Sequence, residues 1–197
     1  MKQIQGLAVL VLGLWLGAGI FADISVTRNF STIESFLANP GATATASEID
    51  AIGREREREI LRRNAAEENN GIFQDWERAE LAIGGVLIAL LALERAPVVD
   101  LTMAGAMIAI VAVQTLALSP RIAALGRLIP SMPPGDPAVA HFWTMHGIYS
   151  GSEILKLLLG FALSLHLCVS LPAHAGARVG RNRFFDDRAG IPVDRNG

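Results

Sequence analysis

Eight polar side chains carry whatever chemistry this chain can perform: Asp23, Glu77, Glu80, Gln114, Arg121, His146, Glu153 and Lys156. Each lies in or beside a long apolar run, where an unpaired charge in hydrocarbon costs several kcal/mol. Their spacing is helical. His146, Ser150, Glu153, Leu157, Gly160 and Ser164 recur every three or four residues, with Lys156 one turn from Glu153. Glu77, Glu80, Gly84 and Ile88 form a second such stripe, and Met103, Met107, Ile110, Gln114 and Arg121 a third. Carboxylates, an amine, an imidazole and an amide meeting from three helices can hold an ion, a quinone-like headgroup or a haem edge, or pass a proton. They can equally form interhelical pairs that only hold a bundle together.

The histidines limit the metal chemistry. His146 and His166 stand on one helix about 30 Å apart at 1.5 Å per residue, too far to share an iron, and the other spans contain no histidine. Haem held by two histidines of this chain is therefore disfavoured. A divalent ion bound by His146, Glu153 and Glu80 is chemically allowed, since mixed nitrogen and oxygen ligands suit several metals. The single cysteine, Cys168, excludes an intrachain disulfide and a multi-cysteine metal site. The chain has no P-loop, GxGxxG, HExxH, CxxC or GxSxG motif. No catalytic residue is assigned, and an enzyme is not favoured. A net charge of -2 does not suggest a nucleic-acid partner.

The elements that position these groups are membrane spans. The chain is 51% hydrophobic and only 18% charged, against about a quarter charged in a soluble domain. A span needs roughly 20 apolar residues. Four are expected, near residues 4–23, 74–94, 99–119 and 147–171. The first is uncharged between Lys2 and Asp23, and a retained span is favoured over a cleaved signal because Ile20 stands where a signal cleavage site wants a small residue. The second must reach back from its uncharged stretch Leu81–Leu93 through Glu80 and Glu77 to Trp76, an interfacial anchor. Glu94–Pro97 makes a tight turn into the third. The register of the fourth stays open. Gly13 and Gly17 form a small-xxx-small pair that permits close helix packing.

Between spans one and two, residues 24–46 read as a polar loop broken at Pro40-Gly41. A charged helix follows over residues 47–70, capped by Ser47 and laced by Asp50–Arg54, Glu55–Arg58 and Glu59–Arg63 pairs. The expected fold is an all-α membrane protein: a four-transmembrane-helix bundle with an extramembrane charged helix between spans one and two. Its transmembrane domain covers residues 1–172, and 173–197 form a flexible polar tail. Taking the N-terminal end of the bundle as side A, this topology puts all eight polar residues toward the opposite end, side B.

The first span, GLWLGAGIFAD from Gly13 to Asp23, looks like the opening of a bacterial membrane domain related to eukaryotic transmembrane protein 205. That opening is distantly similar to the copper-resistance D membrane proteins. FWTMHGIYSGSEILKLLLG, from Phe142 to Gly160, resembles the family's closing F…HG.S…N motif, with Glu153 where a residue like asparagine is expected. Gln114…Pro120-Arg121-Ile122 resembles its third-span exit. The resemblance implies the four-span fold. The span-one histidines of copper-resistance D proteins have no counterpart here, so no metal role follows.

An accessory or structural subunit, or a small binding module, is the favoured function. The alternative is a transporter, or a redox or ion-binding membrane protein using the side-B polar cluster. Its partners are then the lipid bilayer and either other membrane subunits or further copies of the chain. The expected location is a bacterial inner membrane, multi-pass, with both termini on one side. Lys2, Arg95, Arg178, Arg181 and Arg183 favour a cytoplasmic side A.

Overall fold

The computed structural model describes residues 2–38, 53–129, 132–133 and 135–186, with side chains between residues 3 and 169. Four long helices make up the described chain: α1 (Lys2–Ala38), α2 (Arg54–Glu94), α3 (Val98–Leu128) and α4 (Pro137–Asp186). Among the described residues there is no strand. Three of the helices are long and apolar enough to cross a membrane, over Gln3–Ala38, Val98–Leu128 and Pro137–Val169. The described residues thus form an all-helical membrane protein. In α2 the apolar stretch is interrupted by Glu77, Arg78 and Glu80.

The four helices pack through inward stripes of helical period. Ala8, Leu12, Trp15 and Leu16 of α1 meet Leu87 and Leu91 of α2, Ala104, Met107 and Val111 of α3, and Leu163 and Leu167 of α4. The outward faces are no less apolar: Leu10, Leu14, Phe21, Leu93, Leu116, Leu158 and Leu165 are all exposed. A soluble domain avoids contiguous apolar surface of this kind, whereas lipid solvates it. The apolar exterior therefore suits lipid, around a core that is itself apolar over most of its length.

Two glycines permit the close approach. A Cβ on Gly84 would lie 2.6 Å from Ile108 Cγ1 and 3.0 Å from Trp15 Cη2, and one on Gly160 would lie 2.5 Å from Leu16 Cδ2. Gly13 and Gly17, expected to do this, do not: a Cβ at either meets nothing within 4 Å. They sit on the outward face of α1, because the inward stripe runs through Leu12, Trp15 and Leu16.

The helices outrun the expected spans. α1 continues through the segment expected to be a polar loop as far as Ala38. What holds it is a second interface with α2. Asn69, buried, receives a hydrogen bond from Asn29 Nδ2 at 2.6 Å and donates to the Val26 carbonyl at 3.2 Å. Glu34 accepts from Arg62 at 2.8 Å and pairs with Arg58 at 3.4 Å. The charged segment and the second apolar run are one unbroken helix of 41 residues, about 60 Å at 1.5 Å per residue. Of the expected surface pairs, Arg58–Glu55 forms at 3.0 Å; Arg63 instead reaches Glu67 at 3.8 Å, and Glu59 pairs with Arg56 at 3.5 Å. Ser47, Asp50 and the Pro40-Gly41 break lie outside the described residues. α4 begins at Pro137 and its helical backbone runs to Asp186, through the start of the segment expected to be a flexible tail.

The α2–α3 turn is tight, as its sequence requires. Arg95 takes a left-handed conformation (φ 57°, ψ 45°), and the Ala96 and Arg95 amides close back on the Leu91 and Ala92 carbonyls at 2.9 and 3.0 Å. Pro97 then leads into α3 without needing an amide donor.

α3 is not a uniform helix. It runs as α-helix over Val98–Val113, as a π-turn over Gln114–Leu118, and as α-helix again over Ser119–Leu128. Pro120 explains the irregularity: it has no amide to give the Leu116 carbonyl, and its ring would press on that turn. Widening the turn lets the Ser119 amide reach back to Gln114 instead.

Candidate functional site

The inward stripes turn polar toward side B. On α2 the stripe Leu91, Leu87, Gly84 continues into Glu80 and Glu77; on α4, Leu167, Leu163, Gly160 continues into Lys156 and Glu153. Glu77, Glu80 and Lys156 are at most 2% exposed, and Glu153 is 8% exposed. Lys156 is the hub. Its Nζ donates to Glu80 Oε1 at 2.5 Å across the bundle and to Glu153 Oε1 at 2.8 Å along its own helix. Glu80 Oε1 also accepts from the Trp15 indole at 2.8 Å, which brings α1 into the same node. One ammonium and one indole thus tie α1, α2 and α4 together.

A second node lies one turn further toward side B. Glu77 Oε1 accepts hydrogen bonds from the Ser119 hydroxyl of α3 and from the Tyr149 phenol of α4, the latter at 3.2 Å. Gln114, fully buried, donates to Ser152 Oγ at 2.7 Å, and Ser152 donates to the Tyr149 carbonyl at 2.7 Å. The second oxygens of Glu77 and Glu80 and the amide oxygen of Gln114 are buried and meet no donor. Two buried carboxyl groups, Glu80 and Glu153, thus share the Lys156 ammonium, while Glu77 is answered by hydroxyls.

Not all of the expected residues join. Asp23 is half-buried on α1, within electrostatic reach of Glu153 and Lys156. His146 is exposed; its ring stacks on Phe142 (5.9 Å, 13°) and meets the edge of Trp143 at 5.9 Å instead of facing Glu80. Arg121, expected on the face of Gln114, points outward. The π-turn is the reason. The surplus residue rotates the rest of α3, so that Ser119 and Ala123 take the inward positions.

Below the cluster lies a cavity of about 850 Å³ between the side-B ends of all four helices. Asp23, Tyr149, Ser119 and Glu153 line its polar inner end, and Phe30, Phe73, Phe142, Trp143, Ile122 and Ile154 its apolar walls. Toward the projecting parts of α1 and α2, Arg62, Arg63, Glu67, Asn70 and Arg127 line it. Aromatic rings are already organised on this surface: Phe73 meets Tyr149 edge-on at 5.6 Å, and Phe142 meets Trp143 edge-on at 5.1 Å. The volume suits a small-molecule ligand, for which pockets run about 300–1,000 Å³.

No family model matches the chain. No curated protein and no solved structure matches it either. The site therefore has to be read from its own geometry. Among the described residues, no three His, Cys, Asp or Glu side chains converge as a metal would require. The geometry shows an ion-paired cluster, an amphipathic chamber on its side-B side, and an excess of acceptor oxygens.

Two features had no counterpart in the sequence reading. The Trp15 indole reads there as one more apolar span residue, and only its pairing with Glu80 shows its polar role. At the side-A end, His166 Nδ1 lies 2.6 Å from Asp100 Oδ1, with Asp100 buried in the first turn of α3. In the sequence His166 stands out only as a possible haem ligand and Asp100 not at all, and nothing in the spacing links them.

Proposed function

We propose that this chain is a four-span membrane protein acting as a small binding module, with its ligand held in the side-B cavity. The observation that carries the reading is the cavity itself, an amphipathic chamber whose inner end reaches the buried Glu153 of the Lys156 ion-pair node. A bundle needing only cohesion would close this space with side chains.

The second helix serves as the fourth span in this reading. Its stripe Glu80, Gly84, Leu87 and Leu91 packs against three apolar helices, and its charges at Glu77 and Glu80 point inward. Both termini then lie on one side, with the basic residues near side A favouring the cytoplasm of a bacterial cell. In a Cys168→Ser background, cysteines at positions 38 and 190 should label from opposite sides; labelling of both from one side overturns the four-span topology.

Native mass spectrometry of protein purified in mild detergent tests the binding role. A stoichiometric small-molecule adduct is expected, and Ser150→Trp, placed on the cavity wall, should displace it. An adduct-free protein whose melting is unmoved by membrane extracts refutes the module. A second reading, ion or proton movement through the cluster, is favoured by the donor-free oxygens of Glu77 and Glu80. Proteoliposomes carrying a pH-sensitive dye would show it as a flux lost in Glu80→Gln. The accessory-subunit reading is supported by the open face of α1 at Gly13 and Gly17, where a partner helix could pack. Co-purification of a larger assembly tests it.

A further inference from the structure

The chemistry of the cavity selects among ligands by charge. At its inner end stand two carboxyl groups, Asp23 and Glu153. The only ammonium close to them, Lys156, already serves Glu80 and Glu153. Each atom of the cluster that is buried without a partner is an acceptor: the second oxygens of Glu77 and Glu80 and the amide oxygen of Gln114. Those three atoms stand behind the lining; on it, an anion would meet the carboxyl groups of Asp23 and Glu153, whereas a cation would be matched by them.

The walls favour the same sign. Phe30, Phe142 and Trp143 line the chamber, and the faces of such rings attract cations. Trp143 is 62% exposed, a large aromatic surface left open by the described residues. The arginines on the lining are the contrary feature. Two of them are already matched, Arg62 by Glu34 at 2.8 Å and Arg63 by Glu67 at 3.8 Å, and they belong to the projecting part of α2, about 20 Å beyond Glu77 toward side B at 1.5 Å per residue. The positive charge on the lining is thus separated from the carboxylates and partly neutralised.

We infer that the cavity binds a lipophilic organic cation, an ammonium or phosphonium carrying an apolar body. Its charge sits against Asp23 and Glu153 and its body lies along Phe30, Phe142 and Trp143. This rests on the reading of the cavity as a ligand site. The cation can come from two sources of the same chemistry: the amine headgroup of a membrane lipid, or a soluble lipophilic amine. Lateral access lies between α1 and α4, where Thr27 and Phe30 face Ser150 and Ile154 across the cavity and Ile154 is 60% exposed.

The test uses the full chain in nanodiscs of phosphatidylglycerol, with empty nanodiscs as the partitioning control. The probes are tetraphenylphosphonium, the neutral triphenylphosphine oxide and the anionic tetraphenylborate. Saturable binding of one phosphonium per chain is expected, at least tenfold tighter than the oxide. Glu153→Gln should weaken it at least tenfold, the effect of losing one charged contact, and Trp143→Ala several-fold. If Glu153→Gln fails to fold, Asp23→Asn, at a half-exposed position, carries the same comparison. Adding phosphatidylethanolamine assigns the source: competition points to the lipid amine, and its absence to a soluble one. Equal binding of phosphonium, oxide and borate, or phosphonium binding unchanged in both carboxylate variants, overturns the cation and leaves the cavity a ligand site. If no probe of any charge binds, both readings fall.

Discussion

Replacing Lys156 with methionine keeps the volume of the side chain and removes its charge. In the wild type that charge lies 2.5 Å from Glu80 Oε1 and 2.8 Å from Glu153 Oε1, with Lys156 and Glu80 essentially out of contact with solvent. The variant leaves two carboxylates facing each other with only the Trp15 indole to answer Glu80. Removing one member of a buried pair costs about 3–5 kcal/mol. For a chain of this size about 2–4 °C of melting temperature follows each kcal/mol. The variant should therefore melt roughly 6–20 °C below the wild type in detergent, followed by intrinsic fluorescence. Adding Glu80→Gln should recover part of the loss, because the amide still accepts from Trp15 and carries no charge. A single variant that melts within about 2 °C of the wild type refutes the argument that Lys156 compensates these carboxylates. So does a Glu80→Gln addition that lowers stability further.

Gly84→Ala and Gly160→Ala should each lower stability by about 1–3 kcal/mol through overpacking, because the new Cβ would lie 2.5–2.6 Å from Ile108 or Leu16. Gly13→Ala and Gly17→Ala should be neutral or raise stability by up to about 1 kcal/mol through helix propensity; a loss at these two positions in isolated protein would show that the outward face of α1 is covered. Asn69→Ala should cost about 1–3 kcal/mol by stripping the partners of Asn29 and the Val26 carbonyl, seen as faster amide exchange in residues 24–38 without loss of the membrane core. Asp100→Ala should release His166, which a shift of its imidazole resonances would report, while phosphonium binding at the opposite end stays unchanged.

The helices of the membrane core were legible because long apolar runs can do little else. The inward placement of Glu80, Glu153 and Lys156 was legible for a related reason: charges on an apolar helix must find one another or leave the lipid. What the sequence hid follows from rotation and from distant contacts. Gly13 and Gly17 match a packing pattern, but only the tertiary arrangement decides that the α1 stripe runs through Leu12, Trp15 and Leu16. Residues 24–38 look like loop because their helix is held by Asn69, Arg58 and Arg62, 24 to 43 residues away from their partners, and has only Val26 and Leu37 strongly buried. His146 shares the periodicity of Glu153, yet Phe142 and Trp143 hold it on the cavity side of α4. The cavity was not legible, since an unfilled space between four helices has no residue pattern of its own.

The π-turn in α3 can be viewed as a length variant frozen into the protein. Without it, the stripe Asp100, Ala104, Met107, Val111, Gln114 would run on through Leu118 to Arg121. A guanidinium would then be delivered to the chamber that Asp23 and Glu153 line. The surplus residue selects the other phase, with Ser119 on Glu77 and Ala123 facing the cavity. Deleting one residue between 114 and 119 would therefore remove the surplus and leave Ser119 facing inward, whereas straightening the turn at full length would rotate the lower half of α3 and exchange a hydroxyl for a cation. The electrostatic sign of this chamber thus depends on whether five residues or four fill a single helical turn, a change of winding that leaves the composition of the chain untouched.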